Sequence, residues 1–92
     1  MNPMRSNTSQ PIHVLNVFRG IPGNEIPYPI TPYRFALQNG KSYHIAEIRH
    51  LHRERKGKGI HFHYVVSTRE NRIFQLLFDT NAFTWRLVEE AK

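Results

Sequence analysis

The chain has 92 residues, 39% hydrophobic and 12% aromatic, which is enough for one domain with a modest core and too few for two lobes around a deep cleft. With no cysteine, a disulfide framework, a thiolate zinc knuckle and a cysteine nucleophile are all excluded. Thirteen Lys and Arg against seven Asp and Glu leave a net charge of +6, a balance that suits polyanionic partners and also serves plain solubility.

Residues 1–10, MNPMRSNTSQ, are polar and aperiodic and predict a flexible tail, leaving 11–92 as a single β domain. "IHVLNVF", Ile12 to Phe18, is β-branched and aromatic and predicts the first strand. In "RGIPGNEIPYPITP" the prolines Pro22, Pro27, Pro29 and Pro32 exclude a helix and any central strand, because proline offers no N–H to a ladder. A long loop is expected there, whose alternating Ile26, Tyr28 and Ile30 lie extended either along a sheet edge or over a barrel mouth.

Asn39-Gly40 lies between two apolar alternations, the residue pair of a type I′ hairpin turn, so the second and third strands are antiparallel neighbours. The third strand, about Lys41 to His52, changes phase: Tyr43 and Ile45 share one parity and Ile48 the other. A β-bulge at Ala46-Glu47 restores Ile48 to the core face without burying Glu47 or Arg49. A fourth strand follows in "IHFHYVVS", a turn in "TREN", a fifth strand in "RIFQLLFD", a turn in "DTNA" and a sixth strand in "FTWRLVEE". Phe62, Tyr64, Phe74, Phe78 and Trp85 are the expected core.

No segment carries the helical i, i+3, i+4, i+7 pattern over eleven or more residues. The expectation is an all-β protein: an antiparallel meander of about five to six strands, either a strongly twisted sheet or a small half-open barrel. No apolar run reaches the roughly 18 residues of a membrane-spanning helix, so no membrane partner is expected. Nothing near the first residues resembles a secretory apolar core, and a cytoplasmic location is the default.

The stretch HLHRERKGKGIHFHY, His50 to Tyr64, sets two His-x-His triplets around a basic turn. On a strand each triplet puts two rings on one face, and His50, His52, His61 and His63 could share a metal if register brought all four together. The predicted bulge instead moves His50 and His52 to the face of Phe62 and Tyr64, leaving His61 and His63 on the other, so partly exposed strand histidines are the favoured reading and no cofactor is called for. Arg49, Arg53, Arg55, Lys56 and Lys58 surround the single acid Glu54, on a loop softened by Gly57 and Gly59. Such a loop can neutralise DNA or RNA phosphates, or be a solvated hairpin end. With no Asn or Gln cluster beside it, base-specific reading is not indicated. Stacking of single-stranded bases on Tyr28, Tyr33 or His61 is a further option. The acids are scattered and no nucleophile elbow, phosphate-cradling glycine loop or HExxH helix is present; an enzyme is not expected. An open meander also leaves edges on which a protein partner or a second copy could pair.

The succession Gly40, Tyr43, Ile45, Ile48, then His63 to Thr68, then Ile73 to Asp79, then Trp85 to Leu87 resembles a family of uncharacterised bacterial β-modules. Its members stand alone or sit at the C-terminus of polymerase-like proteins of the DNA-damage response. In place of the tryptophan-rich segment that precedes the tyrosine strand in that family, this chain carries the histidines and the basic loop. The resemblance implies a β fold and an accessory role beside a DNA-handling partner, and it implies no catalytic residue.

Overall fold

The computed structural model describes residues 9–20 and 28–91. They form seven strands: β1 (Gln10–Pro11), β2 (His13–Phe18), β3 (Ile30–Ala36), β4 (Ser42–Lys56), β5 (Gly59–Thr68), β6 (Ile73–Asp79) and β7 (Thr84–Ala91). All pairings are antiparallel, and the sheet order is β1-β7-β6-β5-β4-β3-β2. The expected meander is therefore present as a curled half-barrel. The strand count rises because a short extra strand, β1, precedes the predicted first strand, which is β2. β1 pairs with β7 and β2 with β3, so one continuous segment touches both edges of the sheet.

Several contacts hold that segment in place. The Ile12 amide donates to the Trp85 carbonyl (3.2 Å), and Arg86 donates through Nε to Ser9 Oγ (2.8 Å). Ser9 and Gln10, assigned by sequence to the tail, thus join the fold, while residues 1–8 lie outside the described residues. Beyond Pro11 the segment leaves β7, and the gap is bridged by side chains: Trp85 Nε1 donates to Asn16 Oδ1 (3.3 Å).

The inner face carries the core expected from alternation. Phe62, Tyr64, Phe74, Phe78 and Trp85 are all buried, joined by Phe35, Tyr43, Leu76, Val66 and Leu87. Tyr64 is fully enclosed and its hydroxyl donates to the Ile30 carbonyl at 2.6 Å. Burial pushes this phenol far above its ordinary value, because the phenolate would lose its water. Arg72 closes the opposite end, forking onto Glu90 and lying 5.3 Å over the Tyr43 ring.

Two local expectations are corrected. Pro32 lies inside β3, although proline was expected to exclude a strand between two others. Pro32 stands opposite Asn16 of β2 next to a bulge at Tyr33, and β4 pairs only with Arg34 to Ala36, so on the β4 side no strand asks Pro32 for an N–H. The turn at Asn39-Gly40 is not type I′: Gly40 has φ of 93° and Asn39 has no positive φ. The Gly40 amide donates to the Leu37 carbonyl and the Leu37 amide to the Lys41 carbonyl, which is a three-residue loop with glycine in the left-handed position. Ile26, expected to lie extended with Tyr28 and Ile30, is outside the described residues.

Candidate nucleic-acid interface

The β4–β5 hairpin carries the basic stretch. Lys56 pairs with Gly59, and Gly57 has φ of 59°, the glycine that a two-residue type II′ turn requires at its first central position. Only the first residues of β4 pair with β3; from Ile45 to Lys56 its outer edge faces no other described strand. All five predicted cations are exposed, and the ladder sorts them. Arg53 and Arg55 stand opposite Phe62 and Ile60 on the inner face, Lys56 shares the outer face with Glu54, Lys58 occupies the turn, and Arg49 is the extra residue of a bulge. Lys56 Nζ lies 3.6 Å from Glu54 Oε2, and the lysine charge holds the Glu54 carboxyl below its ordinary value. Arg53 lines two shallow cavities, one of about 260 Å³ with Arg55 and Ile60 and one of about 240 Å³ with Pro29, Leu51 and Phe62.

The bulge predicted at Ala46-Glu47 is present, and a second at Arg49 reverses the phase it created. This corrects the expected split of the histidines: His52 faces His63, His50 faces Val65, and all four rings project from the outer face. They form a row in which only His52 and His63 stack face to face. His52 and His63 are 4.6 Å apart between centroids, whereas His50 to His52 and His61 to His63 are 5.6 and 6.2 Å. Among the described residues, no group of three or more His, Asp or Glu is placed to hold a metal ion. Carboxylates flank the row: Glu54 Oε1 is 3.3 Å from His63 Nε2, and Asp79 Oδ1 is 3.6 Å from His61 Nε2. His63 Nε2 is nonetheless buried without a hydrogen bond, since Glu54 reaches it at an ion-pair distance but off the line of the N–H.

The β6–β7 turn, which sequence reading treated as a connection, abuts this hairpin. Thr80 N donates to the Ile60 carbonyl (3.0 Å), Ile60 N donates to Thr80 Oγ1 (2.8 Å), and Asn81 Nδ2 donates to the Lys56 carbonyl (3.1 Å). Asp79 shapes the turn by accepting from the Asn81 amide at 2.8 Å. Two residues on, Phe83 is 66% exposed and stacks on Phe18, itself 51% exposed. Sequence offered no signal for this pair, because apolar residues at strand ends read as core. Tyr33 is exposed on β3, and His61 belongs to the outer row.

Among the described residues no helix is long and apolar enough to cross a membrane. No family model, curated protein or solved structure matches the chain.

Proposed function

We propose that the protein is a non-enzymatic β-module that contacts the backbone of nucleic acid, as an accessory to a DNA-handling partner. The observation that carries this reading is the exposed cationic edge and turn of the β4–β5 hairpin, where Arg53, Arg55, Lys56 and Lys58 fall within six residues and Arg49 stands further along the same edge. Arginine and lysine on a wet, unpaired ribbon can reach phosphates without first being released from a buried partner. The accessory role is supported by the sequence resemblance alone.

Binding to a labelled duplex oligonucleotide, followed by anisotropy across a salt titration, tests it. Engagement of four to five cations gives a log–log salt slope between about −3.6 and about −4.5 on duplex DNA. Absence of binding at low salt, to the duplex and to its separated strands alike, removes the reading.

A second reading, a protein-interaction or homo-oligomeric module, is favoured by β2, which ends the sheet order and leaves Leu15 65% exposed. Light scattering that finds a monomer at high concentration counts against self-association.

A further inference from the structure

We propose that the basic hairpin and the Phe18–Phe83 pair form one site for single-stranded nucleic acid, with phosphates on Arg53, Arg55 and Lys58 and an unstacked base on Phe83. The proposal rests on the backbone-contact reading above and adds to it the class of nucleic acid.

Three observations converge. First, cations and exposed aromatics occupy the same end of the half-barrel and are joined by a continuous row of rings. Arg53 stands opposite Phe62, Phe62 packs 6.5 Å from Phe78, Phe78 meets Phe83 edge-on at 5.3 Å, and Phe83 stacks on Phe18 at 5.8 Å and 9°. Arg53 and Phe78 are two strand spacings apart, about 10 Å, and Phe83 lies one ring contact of 5.3 Å beyond the buried Phe78, so the Arg53 and Phe83 ends of the row are within the span of one short oligonucleotide. Second, the turn bearing Phe83 is tied to the hairpin bearing the cations by the Thr80 and Asn81 hydrogen bonds, which fixes the two halves of the site relative to each other. Third, Phe83 has φ of 58°. Asparagine or glycine tolerates that conformation more cheaply than a bulky ring does, and backbone strain around an exposed ring gathers at binding sites.

A duplex hides the faces of its bases, whereas a single strand offers them to aromatic side chains alongside a charged track for its backbone. The combination of cations on one flank and a solvent-facing ring on the other therefore selects a single strand. Either sugar satisfies it, so DNA and RNA are separate arms of the test.

Anisotropy is measured with labelled 12-mers of oligo(dT) and oligo(U) and with a 12-base-pair duplex at one low salt concentration. Single strands are expected to bind about tenfold more tightly than the duplex, and Phe83→Asn, which suits the left-handed backbone, to remove that preference. Phe83→Tyr, which keeps the ring, is expected to restore it. Chemical-shift or thermal-melt comparison confirms that the variants fold. Equal affinity for single strand and duplex, or a Phe83→Asn variant that keeps the preference, overturns the single-strand proposal and leaves backbone contact standing. No binding of any of the three probes removes the underlying reading as well. Self-association of the parent chain abolished by Phe83→Asn assigns the ring pair to a protein interface, and likewise overturns the proposal.

Discussion

His52 and His63 lie face to face across the β4–β5 ladder, 4.6 Å between ring centroids and 6° from parallel. Partial burial and the neighbouring His52 ring push the His63 pKa below its ordinary value of 6.5, and Glu54 opposes them only in part. The groups facing His63 are His52, with His50 beyond it, and Glu54 on β4, His61 on its own strand, and Leu77 on β6, where Asp79 lies beside His61. A depressed imidazole pKa means the unfolded chain binds the proton more tightly than the folded one. Stability is then complete above pH 6.5 and declines as pH falls below it. Urea denaturation of the parent chain and of His63→Gln at pH 8, 6.5 and 5 is expected to show a shallower acid-side decline in the variant. Parallel curves would sink this assignment.

Tyr64→Phe isolates a second relationship. The ring stays in a pocket it already fills beside Trp85, while the Ile30 carbonyl loses its donor inside the core. Leaving a buried acceptor unpaired costs about 1–3 kcal/mol. The expected result is that loss in equilibrium denaturation, together with faster amide exchange in β3. An unchanged midpoint would mean that water replaces the hydroxyl.

Gly59 matters for a reason other than backbone freedom, since its φ is not positive. A Cβ there would run into the Asn81 side chain, whose amide donates to the Lys56 carbonyl. Gly59→Ala is expected to destabilise by about 1 kcal/mol or less, because the exposed Asn81 side chain can swing aside at the cost of its bond to the Lys56 carbonyl. In an Asn81→Ala background the same change should cost less, because the obstructing atoms are gone. Strict additivity in that double-mutant cycle would show that the collision is relieved some other way.

Alternation made the inner face legible in advance. Phe62, Tyr64, Phe74, Phe78 and Trp85 follow the period of two, and each is buried. The single bulge that Ile48 demanded was legible too, for Glu47 and Arg49 could not both be buried. The second bulge had a marker that is easily passed over: Leu51 falls on the opposite parity from Ile48, so returning it to the core opposite Tyr64 requires another extra residue, but a lone leucine among His and Arg reads as a surface position. The fate of the histidines turned on that residue. The cations were visible as a cluster, but their division between two faces depended on the same register. Phe83 was hidden for a different reason. Its exposure follows from the Asp79 turn and the left-handed backbone, which composition does not encode.

The β4 edge supplies the last prediction, because charges on an unpaired strand have two distinct effects. They can meet phosphates, and they also discourage another strand from adding to the open ladder. Arg53 and Arg55 lie on that edge, with the bulges at Ala46 and Arg49 further back along it. Replacing both arginines with glutamate reverses the charge but keeps the edge guarded, so the variant is expected to remain monomeric and lose nucleic-acid binding at low salt. Replacing both with threonine removes the guard and favours extended backbone, so that variant should bind more weakly and also self-associate as concentration rises. Light scattering on the two variants separates the effects. If the threonine form stays monomeric to millimolar concentration, the arginines are not protecting the edge, and phosphate contact is left as their single role.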